Sequence, residues 1–159
     1  MKKLSWKKLL LYKVLAVIVI LFLVSFLRYC GGTKLFCASN GSIFEIAKIA
    51  FWAVLIYGFI EFLIPSFGEQ DNIFFSKLTA IVSVPILVTI LMLIFPQGFT
   101  LSALAVALSV IIAQILEYYL ARVQPNCISI LVITLLFLIF LICFIIFAYH
   151  PLGGVLFNK

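Results

Sequence analysis

The sequence predicts an all-α fold, a polytopic bundle of five transmembrane helices. Five apolar runs occupy residues 9–29, 43–64, 74–95, 101–121 and 128–149. Each is long enough to span a bilayer, because a helix rises about 1.5 Å per residue and the hydrocarbon core is about 30 Å thick. Hydrophobic residues make up 67% of the chain and charged residues only 10%, against about 25% charged residues in soluble domains. The runs lack the polar–apolar alternation of membrane β-strands, so we expect helices.

The five runs take up most of the 159 residues. We therefore expect one transmembrane domain, residues 1–159, with short connections and no separate soluble domain.

Lysines cluster ahead of the first run and just inside it. Five of the eleven cations are Lys2, Lys3, Lys7, Lys8 and Lys13. Because basic residues flank the cytoplasmic ends of transmembrane helices, we expect a cell-membrane protein with a cytoplasmic N-terminus. Five spans then put the C-terminus outside. The positive charge forms no stripe beyond this cluster, so we expect the lipid bilayer as a partner and no nucleic acid.

The loop between the first two runs carries Cys30 and Cys37. In the predicted topology this loop is extracytoplasmic, where an oxidising compartment would allow a disulfide between them. Alternatively, both are small apolar residues that the membrane environment tolerates. The spacing leaves both interpretations open.

The second run begins with a helix-capping pattern. Ser42 and Glu45 have the spacing of a capping box, in which each side chain accepts from the other residue's backbone amide. Lys48 follows three residues later on the same face and can pair with Glu45. These residues and Asn40 form either a helix cap or an outer site for a ligand or ion.

The third and fourth runs carry packing signals. Pro85 lies midway along the third run, where it removes a helix hydrogen bond and should kink the helix. Ala105, Ser109 and Ala113 recur at every fourth residue of the fourth run. Such a stripe of small residues lets a neighbouring helix approach closely.

Polar side chains inside the apolar runs are the best candidates for a functional site, because placing them in lipid is costly. Glu61, Gln114 and Glu117 lie at similar depths near the predicted cytoplasmic ends of their helices. They could meet in a water-filled pocket with Arg122 or Lys77 as counter-ions. Alternatively, the two carboxylates extend to the interface and pair there with the same two cations.

The second run also resembles a family of small five-helix bacterial membrane proteins of unknown function. Their motif is Asn-x-Ser-x-(Phe/Trp)-Glu-x-x-Lys, followed by a glutamate late in the same helix. The matching positions are Asn40, Ser42, Glu45, Lys48 and Glu61. The internal Pro85 and the ending at residues 147–151 are also similar. Ile46 stands where the family tends to carry histidine, which is a departure from the family's pattern. The resemblance implies a five-helix fold and no established activity.

Catalytic motifs do not stand out in the sequence. Asp71 is the only aspartate, whereas an intramembrane aspartyl protease needs two. Metalloprotease, nucleophile-elbow and phosphate-binding glycine motifs are missing as well. We therefore expect no catalytic residues, no metal and no cofactor. We favour a non-enzymatic protein that binds or transports a small solute or ion through Glu61, Gln114 and Glu117.

The alternative function is that of an accessory or assembly subunit. The chain would then add its helices to a larger membrane complex or to a homo-oligomer. The stripe of small residues on the fourth run would supply the contact with the membrane-protein partner.

The predicted orientation can be tested with reporter fusions in intact cells. A reporter at Lys3 should respond as a cytoplasmic one, and a reporter at Asn158 as an extracytoplasmic one, because five spans separate the two positions. Labelling of single cysteines at the same two positions is an independent check. Both ends on the same side of the membrane would contradict five spans.

Overall fold

The computed structural model describes residues 6–29, 34–36, 41–63, 72–95 and 99–150. Within these ranges the chain forms five helices and no strand: α1 (Trp6–Tyr29), α2 (Ile43–Phe62), α3 (Ile73–Ile94), α4 (Phe99–Leu120) and α5 (Cys127–Tyr149). The predicted all-α fold is confirmed, and the helix limits differ from the predicted ones by at most three residues. All five helices are long and apolar enough to cross a membrane, which is compatible with a multi-pass membrane protein.

Polar side chains cap the beginnings of two helices, α2 and α5, and a third polar side chain precedes α3. The Ser42 hydroxyl accepts a hydrogen bond from the Glu45 amide at 3.4 Å, which is one of the two bonds of the predicted capping box. Asn126 caps α5 in the same way by accepting from the Ser129 amide at 3.1 Å. Asn72 precedes α3, and its side-chain amide donates to the Val123 carbonyl at 2.6 Å. This bond ties the start of α3 to the turn that follows α4.

Helix α2 lies at the centre of the bundle and α5 at its periphery. Helix α3 packs most extensively against α4 and then against α2, while α1 packs against both α4 and α2. In the most apolar window of each span, 72% of the α2 residues are buried but only 6% of the α5 residues. Most of the surface of α5 therefore consists of exposed apolar side chains.

The stripe of small residues on α4 packs inside the bundle. Ala105, Ser109 and Ala113 are all 0% exposed, and the Ser109 hydroxyl donates to the Ala105 carbonyl at 2.8 Å. The predicted close approach of a neighbouring helix is therefore made within this chain. The proposal that the stripe contacts a partner protein is wrong, because its surface is already covered.

Helix α5 is joined to α2 by aromatic contacts that leave space beside them. The rings of Phe51 and Phe144 lie 5.0 Å apart between their centroids. A cavity of about 530 Å³ lies between α2, α3 and α5, with Pro85 and Thr89 in its wall. A second cavity of about 250 Å³ lies between the same three helices, and Lys77 contributes to its wall. The seam between α5 and the α2–α3 pair is therefore loosely packed.

Candidate functional site: a buried ring of four charges

Four charged side chains, one from each of α1 to α4, meet near one end of the bundle. They are Lys13, Glu61, Lys77 and Glu117, and their exposed fractions lie between 1% and 5%. The two lysines lie near the beginnings of α1 and α3, and the two glutamates near the ends of α2 and α4. These positions meet because successive helices run in opposite directions. We call this group the charge ring.

Each lysine of the charge ring binds both glutamates. The Lys13 Nζ lies 3.1 and 3.2 Å from the two carboxylate oxygens of Glu61 and 2.6 Å from Glu117 Oε1. The Lys77 Nζ lies 2.6 Å from Glu117 Oε1 and also pairs with Glu61 Oε2. Positive and negative charges therefore alternate around the ring, and its two ammonium groups balance its two carboxylates.

Tyr57 supports the ring from one turn earlier on α2. Its hydroxyl donates to Glu61 Oε1 at 3.2 Å, and the centre of its aromatic ring lies 5.4 Å from the Lys77 Nζ. A cation at this distance from an aromatic face is attracted by the ring quadrupole. Tyr57 therefore helps to orient one carboxylate and one ammonium group of the charge ring.

Three buried polar atoms beside the ring have no hydrogen-bond partner among the described residues. They are Glu117 Oε2 and both atoms of the Gln114 side-chain amide. Gln114 is only 2% exposed, and it lies three residues before Glu117, so the two side chains share one face of α4. Buried polar groups in proteins are nearly always paired. A further polar group beside them would satisfy these atoms.

A thin apolar layer separates the ring from the near end of the bundle. Leu9 and Ile73 are buried and pack with Tyr118 in a small cluster, apart from the main core. Leu9 and Ile73 each precede a ring lysine by four residues, so the layer is about one helical turn thick. Tyr118 is held in turn by Arg122, whose guanidinium donates to the tyrosine hydroxyl and lies 4.4 Å from its ring centre.

A second polar cluster lies towards the opposite end of α2. The Lys48 Nζ lies 2.8 Å from Glu45 Oε2 and donates to the Lys34 carbonyl at 2.6 Å. Lys48 is 0% exposed, and its predicted pairing with Glu45 is confirmed. Glu45 and Glu61 are 16 residues apart in α2, which corresponds to roughly 24 Å along a helix. Apolar core residues of α2 lie between the two clusters.

Two of the four residues predicted for the inner site, Glu61 and Glu117, come together in the structure, and Gln114 lies about one helical turn before Glu117 on α4. Glu61, Gln114 and Glu117 are all buried, so the carboxylates do not extend to the surface of the bundle, but their predicted pairing with Lys77 is confirmed. The ammonium groups of Lys13 and Lys77 bridge the two carboxylates. They occupy the place where a water-filled pocket was expected. Arg122 is not one of these counter-ions, since it is exposed and contacts Tyr118.

Lys13 is the ring residue that sequence reasoning missed, because it was counted with the basic N-terminal cluster. Its position carries a signal, however. It lies seven residues after the first residue of α1, or about 10 Å into the helix. A lysine at this depth needs a buried partner. The remaining predicted site residues, Asn40, Cys30 and Cys37, lie outside the described residues, so the outer ligand site and the disulfide stay predictions.

The fold and site together define a five-helix bundle, compatible with a multi-pass membrane protein, that buries a charge-balanced ring near one end. Comparisons of the chain with protein-family models, with curated proteins and with solved structures gave no match.

Removing one lysine should destabilise the bundle more than removing a lysine–glutamate pair. Lys77→Met leaves the ring with an unbalanced negative charge, and breaking a buried ion pair in this way costs about 3–5 kcal/mol. The double variant Lys77→Met/Glu61→Gln restores the balance and should recover part of that loss. The free energy of unfolding in mixed detergent micelles is the quantity to measure.

Arg122→Met is the matched control, because it removes an exposed cation outside the ring. Its effect should be small. If the Lys77→Met and Glu61→Gln losses simply add in the double variant, the two side chains are not coupled and the ring is disproved.

Proposed function

We propose that this chain is an integral protein of the cell membrane that binds a small solute or ion at the charge ring and transports it. The single observation that carries the proposal is the set of unpartnered polar atoms of Gln114 and Glu117 beside the ring. A buried polar atom without a partner costs about 1–3 kcal/mol. A ligand that satisfies these atoms would recover that cost.

The composition of the ring also supports a functional role. Replacing a buried ion pair by well-packed apolar residues is often neutral or stabilising. Packing alone therefore gives no reason to bring four charges together inside a transmembrane bundle, and ionisable groups at such positions are typical of substrate and ion pathways. The ring would provide fixed charges around a ligand site.

Access to the site is proposed from the cytoplasm. In the proposed orientation, the N-terminus is cytoplasmic and the C-terminus extracytoplasmic, so the ring lies close to the cytoplasmic face. Among the residues that the structure describes, the layer of Leu9, Ile73 and Tyr118 covers it there. On the other side lies the main apolar core, so passage outward would require the helices to rearrange. The loosely packed seam along α5 provides space for such a movement.

The peripheral position of α5 favours a second candidate function. Only 6% of its most apolar window is buried within this chain, so a long apolar face is available for another membrane protein or a second copy. An accessory subunit of a larger complex would use α5 as its contact.

Membership of the bacterial family that the Asn40–Lys48 motif resembles also stays a prediction.

The proposed binding site can be tested by its accessibility to a thiol reagent. In a variant without the native cysteines, Gln114→Cys should react with a small methanethiosulfonate in inside-out membrane vesicles. Leu9→Ala should increase the rate at least about tenfold, because a core Leu→Ala change costs about 2–5 kcal/mol and each 1.4 kcal/mol is a factor of ten.

Ala50→Cys is the control, because Ala50 is 0% exposed in the main core and distant from the ring. It should stay unreactive from both sides. If Gln114→Cys is equally unreactive and Leu9→Ala does not change its rate, the ring is closed to solutes. Its role is then structural, and the accessory function is favoured.

A further inference from the structure

Resting on the function proposed above, we infer that the site selects an uncharged polar ligand. The ligand presents two hydrogen-bond donors and one acceptor on neighbouring atoms, as a primary amide or a urea does. Two independent observations lead to this class of ligand: the charge balance of the ring and the identity of the atoms beside it that lack a partner.

The charge balance disfavours an ion. Lys13 and Lys77 together offset Glu61 and Glu117, and each of the two lysines forms an ion pair with both glutamates. All four residues are at most 5% exposed. An ion that entered this site would leave one charge uncompensated in surroundings of low dielectric constant, which is strongly unfavourable. An uncharged ligand leaves the balance unchanged.

The unpartnered atoms define what the ligand must offer. Glu117 Oε2 and Gln114 Oε1 are acceptors, and Gln114 Nε2 is a donor. A carboxamide supplies the complement, since its carbonyl accepts from Nε2 while its two N–H groups donate to the two oxygens. Turning over the Gln114 amide exchanges its two atoms but leaves the set the same.

Ions match this set of atoms less well. A metal cation would bind the two oxygens and leave the Gln114 N–H group without an acceptor. An anion would face the free carboxylate oxygen of Glu117. The hydrogen-bonding pattern and the charge balance therefore point to the same class of ligand.

The test uses three probes that share one shape and differ in charge: acetamide, acetate and acetamidinium. Binding of each to the full-length protein in detergent is measured by ligand-observed NMR with competition between probes. Acetamide should bind at least about tenfold more tightly than either ion, because only the ions unbalance the ring. This comparison needs no variant.

Each variant of the ring should change which of the three probes binds most tightly. Lys77→Met leaves a net negative charge and should favour acetamidinium. Glu61→Gln leaves a net positive charge and should favour acetate, while the unpartnered atoms of Gln114 and Glu117 are retained. Glu45→Gln, which changes the distant cluster, is the matched control and should keep the preference for acetamide.

The outcomes separate the two proposals. If the wild-type protein binds acetate or acetamidinium at least as tightly as acetamide, this inference is overturned while ligand binding at the ring stands. If no probe binds to the wild-type protein or to any variant, both this inference and the proposed function are overturned.

Discussion

Four alternating charges at one level of the bundle are the constraint on which the rest of the structure depends. Each lysine of the ring contacts both glutamates, and the N–O distances are 2.6 to 3.2 Å in three of the four lysine–glutamate pairs. Four helices therefore have to agree in their rotation and in their shift along the bundle axis. Apolar packing alone constrains neither as strongly, because apolar contacts have no direction. The ring thus fixes the register of α1 to α4, whereas α5 carries no ring residue.

The fold was predictable from the sequence because the bilayer leaves few alternatives. Runs of about 20 apolar residues without alternation can only be helices when they cross a membrane. The capping by Ser42 and the burial of Ala105 were predictable too, since both follow from spacing along one helix. These features are local or periodic, and they need no knowledge of which helices become neighbours.

The site was predictable only in part, because it depends on contacts between helices. The positions of Glu61 and Glu117 along their helices predicted that the two residues lie at the same level. Their partners, however, depend on how each helix is rotated about its axis. Lys13 joins them from a position 48 residues away from Glu61. The same rotation turns Arg122 towards Tyr118 instead of towards Glu117. Local sequence does not determine these rotations, because they depend on the ion pairs that the four helices form with one another.

The most direct test of the ring is a measurement of its distances in a lipid bilayer. Solid-state NMR can detect the dipolar coupling between ¹⁵N in lysine side chains and ¹³C in glutamate carboxylates. Both Lys13 and Lys77 should couple strongly to Glu61 and Glu117, and each substitution of a glutamate by glutamine should remove one carboxylate partner from both lysines. Lysine nitrogens that couple to neither carboxylate, or a Lys77 that couples only to lipid phosphate, would contradict the account.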